Sequence, residues 1–323
     1  MSLYRSGFSS QIQLFVDYRK ASGRWDDRGY GYSLKQFDHF CADTFPPNSP
    51  LNQEMVDRWC AKRDTELNST CNRRTLPIRT FIQYLQDRNL SDVSAPKILR
   101  KEPCTHIPYA FSYGEIERFF AECDSIIPRN NGIAAAIRKL TCPVFFRLLY
   151  SSGIRTTEAR LLRKRDVDLE HGILNIQKSK GCDQHYVALH QTMTDLLARY
   201  DRAIEELIPG RTYFFENAKG GHLEPSWVAC NFRLLWDKAN GSSRRAVAYD
   251  FRHNYAIQNI NSWTDDSFEF SDKLHYLARS MGHRKTASTL YYYSIVPRLA
   301  DTIKSQTETG FNEIVPEVCY EEE

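Results

Sequence analysis

Apolar residues recur every three or four positions through residues 12–85, the spacing that gathers them on one face of a helix. Ile12, Phe15 and Tyr18 form a first stripe, with Ser9 or Ser10 available as cap. Leu34, Phe37, Phe40 and Cys41 form a second, ended by Phe45-Pro46-Pro47. Met55 and Trp59 predict a third helix after Pro50, and Ile78, Phe81, Ile82 and Leu85 a fourth. Pro77 falls inside that last pattern, so the helix either starts there or kinks. Four short amphipathic helices over residues 1–92 make a small bundle.

The periodicity then breaks. Residues 93–107 hold two prolines and the charged run Lys97, Arg100, Lys101 and Glu102, the composition of a linker. Ser112-x-x-Glu115 is a capping box, opening a helix with Ile116, Phe119 and Phe120 inward, so a second domain is expected over 108–300. Its clear β signal is a hairpin. Ile173–Ile176 alternates, Tyr186–Leu189 is the matching run, and a polar connection with Gly181 joins them. Helices are expected at 191–207, 225–239, 250–261, 271–281 and 286–294, followed by a tail at 301–323. The predicted class is mainly α with a small antiparallel β-sheet, an α+β arrangement in two domains.

Composition narrows the partners. No apolar run approaches the roughly 20 residues of a membrane span, and MSLYRSGFSS lacks the apolar core of a signal peptide. Nine cysteines without CxxC spacing read as reduced thiols, which predicts a cytoplasmic protein with no structural zinc. The net charge is only +3, but the terminal FNEIVPEVCYEEE contributes −5, which leaves +8 for the remainder. Basic clusters at Arg73, Arg74 and Arg79, at Lys97, Arg100 and Lys101, at Arg163, Lys164 and Arg165, and at Arg284 and Lys285 suit phosphate, or are solvated helix faces.

Several residues have chemistry to offer. Tyr291, Tyr292 and Tyr293 form a triplet, and a tyrosine hydroxyl can attack phosphorus to give a covalent phosphotyrosine. With a pKa of about 10 it needs help to lose its proton. Arg155 follows an apolar helix and a glycine, where Thr156 or Thr157 can cap the next helix. An arginine at a helix N-terminus opposes the macrodipole, and makes sense beside a bound phosphate or paired with Glu158. Lys180 lies in the hairpin connection, within reach of a leaving oxygen or of solvent. Arg252 and His253 sit beside a face shared by Phe251 and Tyr255, and His283 follows a helix and Gly282.

The order and spacing of these residues resemble the tyrosine recombinase (integrase) family. The hairpin Lys180-Gly181-Cys182-Asp183-Gln184-His185-Tyr186-Val187-Ala188-Leu189 fits the family form K-G-x-x-x-(R/H)-x-V-P-L without gaps. Phe251-Arg252-His253-Asn254-Tyr255-Ala256 matches L-R-H-T-x-A, and Met281-Gly282-His283, Ser288-Thr289 and Tyr292 match L-G-H-x-x-x-x-T-T-x-x-Y. The resemblance covers about 105–297, and extends at pattern level to a helical core-binding domain of SAM-like type, the two domains forming a C-shaped clamp. It implies that Arg155 and Arg252 clamp the scissile phosphate and that Lys180 is general acid to the leaving 5′ oxygen. It further implies that His283 binds the phosphate or assists the nucleophile, that Tyr292 forms a 3′-phosphotyrosine, and that Glu158 orients Arg155, with His253 beside the pocket. It requires no metal and no nucleotide cofactor, since two guanidiniums neutralise the phosphate and the covalent link conserves the bond energy.

The implied function is site-specific recombination of double-stranded DNA at inverted-repeat core sites, in integration, excision or transposition of a mobile element. The implied assembly is a homo-tetramer exchanging tails anchored by Ile303, Phe311, Ile314 and Val315, at the bacterial nucleoid, with an accessory or co-recombinase protein as a further partner. No arm-binding module ahead of the bundle is expected. One position departs: Tyr249 stands where the family usually has histidine, three residues before the second arginine. A phenol is a weak base there, which leaves His283 with more of the proton work. Two other readings share the fold: a catalytically impaired DNA-binding accessory factor, and a type IB topoisomerase acting as a monomer.

Overall fold

The computed structural model describes residues 3–100, 102, 108–177, 184–242, 245–263, 269–283 and 289–290. The chain divides into two compact units, Met1–His106 and Ile107–Glu323. Among the described residues, no helix is long and apolar enough to cross a membrane.

The first unit holds helices α1 (Ser9–Ala21), α2 (Tyr32–Thr44), α3 (Gln53–Cys60) and α4 (Asn68–Gln86), with a short π-helical turn at Asp27–Gly31. The apolar stripes meet as their spacing demands: Ile12, Phe15, Leu34, Phe37, Met55, Val56, Phe81 and Ile82 form one buried core. Burying each such side chain contributes roughly 1.5–3 kcal/mol. Tyr18 departs from its stripe and is exposed, flanked by Tyr84 and Arg88, while Val16 takes the inward place. Neither serine caps α1, whose N-cap is Phe8. Pro77 neither starts nor ends α4, which continues on both sides of it with the ring buried.

Residues 93–102, expected as linker, lie along the first unit as an extended strap. Val93 is buried, Asn72 exchanges two hydrogen bonds with Leu99, and Glu102 accepts from the N–H groups of Asn68 and Ser69. These contacts satisfy backbone groups that a free linker would leave to solvent.

The second unit is built on α6 (Ile133–Ser152), packed against α5 (Tyr113–Asp124), α8 (Gln191–Leu207) and α10 (Asp250–Asn261). The remaining helices are α7 (Thr156–Leu161), α9 (Pro225–Asn240) and α11 (Phe270–Ser280). The capping box of α5 forms, Ser112 and Glu115 each bonding the other's N–H. The sheet has three antiparallel strands, β1 (Val167–Asp168), β2 (Ile173–Ile176) and β3 (His185–Ala188). In β2 and β3 the register pairs Ile173 with Ala188 and Ile176 with His185. Leu174, Ile176 and Val187 face the core, as alternation requires. β1 is only two residues long, too short to show a period, and went unforeseen. The architecture is therefore mainly helical with a small antiparallel sheet. Of the expected helix 286–294, only residues 289 and 290 are described.

Candidate active site

Phe251 sets the position of the central arginine. Its ring is fully buried among Phe111, Phe119, Phe120, Tyr150 and Phe232, with centroids 5.1–6.1 Å apart. Successive helix residues point about 100° apart, so this anchor turns Arg252 toward the ends of α6 and α11. There Arg252, only 2% exposed, donates from Nη1 to the Gly153 carbonyl at 2.6 Å and from Nη2 to the Met281 carbonyl at 2.5 Å. Both carbonyls lie at helix C-termini, whose partial negative charge favours a cation.

Two left-handed glycines shape those ends. Gly153 (φ 64°) stops α6, and the Tyr255 ring lies so close that a β-carbon would sit 2.2 Å from its Cδ1. Gly282 (φ 62°) stops α11, with the Gly282 N–H on the Arg279 carbonyl and the His283 N–H on the Ala278 carbonyl. This paired closure swings the chain sharply and presents His283 next to Arg252.

Arg155 is the N-cap residue of α7 and occupies the place that Thr156 or Thr157 was expected to fill. The cap interaction comes from Glu158, whose Oε2 accepts the Arg155 N–H at 2.8 Å and whose Oε1 accepts Nη1 at 2.6 Å. The Glu158 side chain is 1% exposed. Arg155 Nη2 reaches the Gly282 carbonyl at 3.1 Å. The guanidinium at a helix N-terminus is therefore offset by a buried carboxylate and by the C-terminal end of α11. The neighbouring carbonyls of Met281 and Gly282 each receive one arginine.

His283 completes the cluster. Its Nε2 lies 2.9 Å from Arg252 Nη2, and its Nδ1 lies 2.7 Å from Thr289 Oγ1. A guanidinium only donates, so Nε2 is the acceptor and the ring proton is on Nδ1, donated to Thr289. Burial, then the charges of Arg252, Arg155 and His185, lower the imidazole pKa to about 4. Two fixed cations and a neutral imidazole on one small patch suit a phosphodiester: the forks match its non-bridging oxygens and stabilise charge that grows in a transition state.

The structure thus brings together Arg155, Glu158, Arg252 and His283. Tyr249 is at the N-cap position of α10, 41% exposed, with its ring edge-on to His253 at 5.2 Å. Lys180, Tyr291, Tyr292, Tyr293, Lys101, Arg284 and Lys285 lie outside the described residues. Of the basic residues in the first unit, Arg73, Lys97 and Arg100 are exposed. Arg74 is taken up by the carbonyls of Trp59 and Ala61 and by Glu66, and Arg79 donates to the Pro96 carbonyl. In the second unit Lys164 pairs with Glu205. Two contributors escaped sequence reasoning. Thr289 is a buried hydroxyl that fixes the His283 tautomer, and the carbonyls of Gly153, Met281 and Gly282 hold the arginines. The two helix-ending glycines were the available signal for those carbonyls. For Thr289 it was the six-residue interval from His283.

Comparison with known proteins agrees with this geometry. Residues 114–297, more than half of the chain, match the phage integrase family. A putative integrase/recombinase of Sinorhizobium fredii, y4rE, is 25% identical over 300 residues, covering 90% of this chain and 93% of that protein. The tyrosine recombinase XerC of Chlorobaculum tepidum is 26% identical over 251 residues, covering 71% of this chain and 70% of its own. The XerH site-specific recombinase bound to difH substrate shares the fold, with a TM-score of 0.62 at 18% identity over 91% of this chain and 83% of that one. The chain belongs to the phage integrase family of tyrosine recombinases, enzymes of DNA strand exchange.

Proposed function

We propose that this protein cuts and rejoins double-stranded DNA at inverted-repeat core sites through a 3′-phosphotyrosine on Tyr292, and so integrates or excises a mobile element. The observation that carries the reading is the convergence of Arg155, Arg252 and His283 on one turn, from three separate helix ends. Such a site binds a phosphate diester and stabilises its pentacoordinate transition state.

In the step proposed, the Tyr292 oxygen bonds to phosphorus and the bond to the 5′ oxygen breaks. Lys180 supplies the proton to that oxygen. The tyrosine proton passes to solvent or to a neutral acceptor such as His283 Nε2. Attack by the 5′ hydroxyl of a second strand reverses the step and releases Tyr292, so no external energy source is needed. Exposed Arg73, Lys97 and Arg100 supply counter-charge for the DNA backbone.

Strand exchange between two duplexes calls for several copies, and we infer a homo-tetramer joined by the tail. A groove of about 970 Å³ in the second unit is lined by Val228, Phe232, Val247 and Ala248, with Arg233 and Arg245 along it. Its character complements a tail with Phe311, Ile314 and Val315 among five glutamates.

DNA flanking the gene tests the function. Incubation with paired flanking fragments is expected to yield recombinant joints at one footprinted inverted repeat, and removal of residues 301–323 to abolish joints while leaving cleavage. Relaxation of supercoils by a monomer, with no joints, would instead support the topoisomerase reading.

A further inference from the structure

His185 stands at a junction of the site that none of the roles above uses. It is the first residue of β3 and pairs with Ile176, the last of β2, so it closes the mouth of the hairpin from which the connection holding Lys180 departs. Its ring lies across Gly282. A β-carbon on Gly282 would sit 2.6 Å from His185 Cε1, 2.9 Å from Nδ1 and 3.0 Å from Nε2. Three ring atoms at such similar distances mean that the imidazole covers the glycine broadly, and its Nε2 is shut off from solvent. β3 packs on α11 at the same place.

The peptide under that ring is the one the site is built on. The Gly282 carbonyl accepts Arg155, the preceding carbonyl accepts Arg252, and the next residue is His283. The other end of the connection is also fixed, since Gln177 donates to the buried Asp166 at 3.0 Å. The hairpin mouth is therefore seated against the arginine-holding turn from one side and tied to Asp166 from the other.

We propose that His185 is a positioning residue, which seats the β2–β3 connection against the Gly282 turn so that Lys180 reaches the leaving oxygen. The proposal rests on the recombinase reading above. It makes Gly282 necessary twice, for its left-handed backbone and for the space the ring occupies. His185 touches no reacting atom; it acts through the lysine.

A change of leaving group separates this role from a merely structural one. A scissile phosphate with sulfur in place of the 5′ bridging oxygen expels a thiolate, which needs no proton, so loss of the general acid ceases to matter. Wild type, His185→Ala, His185→Phe and Lys180→Ala are compared on nicked substrates of both kinds, by the rate of covalent adduct formation. On ordinary DNA, His185→Ala is expected to slow cleavage about 10²-fold, the usual cost of misplacing a reacting group by an ångström. On the sulfur substrate it is expected to return to within a few-fold of wild type, as Lys180→Ala does. His185→Phe, which keeps a flat ring, is expected to recover most of the activity on ordinary DNA. Equal slowing of His185→Ala on both substrates, or no slowing on either, overturns the proposal. Should His185→Ala fail to fold, His185→Phe decides: near wild-type rates support the seat, and equal loss on both substrates overturns it. Failure of the wild type to form any adduct on either substrate overturns the recombinase reading, and this one with it.

Discussion

Arg252 and His283 meet at 2.9 Å, guanidinium Nη2 to imidazole Nε2, and the direction of that bond fixes the state of the histidine. The arginine can only give a proton, so the imidazole is neutral and protonated on Nδ1, with Thr289 receiving that proton. An incoming phosphate competes with Nε2 for the same guanidinium edge. The pair is thus set to exchange an internal bond for one to substrate.

Arg252→Lys is expected to lower the cleavage rate by about 10²–10³-fold, the cost typical of losing one transition-state donor. A lysine cannot span the Gly153 and Met281 carbonyls as the fork does. Buried carbonyls left unpaired also cost about 1–3 kcal/mol each. Urea denaturation beside single-turnover cleavage reads both effects. A variant of unchanged stability would show that the two carbonyls find other donors.

Stability should depend on pH through His283. In the unfolded chain the imidazole binds its proton near 6.5, and in the folded protein only at about 4. Between those values the unfolded state holds more protons, so stability falls as pH drops through the window and is independent of this group above it. Denaturation midpoints from pH 4 to 8 for wild type and His283→Gln are expected to converge toward the acid end. Parallel curves would mean that the imidazole is not held neutral.

Glu158→Ala removes the acceptor of two bonds from Arg155, one to its main chain and one to its fork. Arg155 then keeps only Gly282 among the hydrogen bonds described above. Cleavage is expected to fall about 10²-fold through misplacement of the guanidinium, with DNA affinity in a gel-shift assay changed less than threefold. A loss confined to affinity would place Glu158 outside the chemistry.

Gly153→Ala sets a side chain at φ 64° and drives its β-carbon to 2.2 Å from the Tyr255 ring. The backbone strain alone costs about 1–2 kcal/mol. The melting temperature should drop, and Gly153→Ala with Tyr255→Ala should not recover it fully, because the strain outlasts the clash. Full recovery would show that the backbone conformation matters little here.

Much of this site was legible before the fold, and the reasons are local. The spacing of Phe251 and Tyr255 fixed which side of α10 Arg252 occupies, and Gly282 marked the end of α11. Ser112 and Glu115 announced α5 because a capping box is made within one turn. What escaped depends on distant neighbours. Tyr18 fits a helical stripe but stands outside the core beside Tyr84, a choice made by packing between helices. Arg74 looked like a basic surface group, yet a chain turn brings the carbonyls of Trp59 and Ala61 within its reach. The strap at 93–102 has the composition of a linker, and only Asn72 and the start of α4 give it partners. The seat of His185 on Gly282 joins residues nearly a hundred positions apart, which no local pattern records.

The central claim is that a tyrosine attacks phosphorus beside Arg155 and Arg252, and that the tyrosine is Tyr292. A nicked suicide substrate traps the covalent complex, and mass spectrometry of the protease-digested adduct identifies the DNA-linked residue. The account predicts a single adduct on Tyr292, lost in Tyr292→Phe and kept in Tyr291→Phe and Tyr293→Phe. An adduct on Tyr291 or Tyr293, or one that survives Tyr292→Phe, would contradict it.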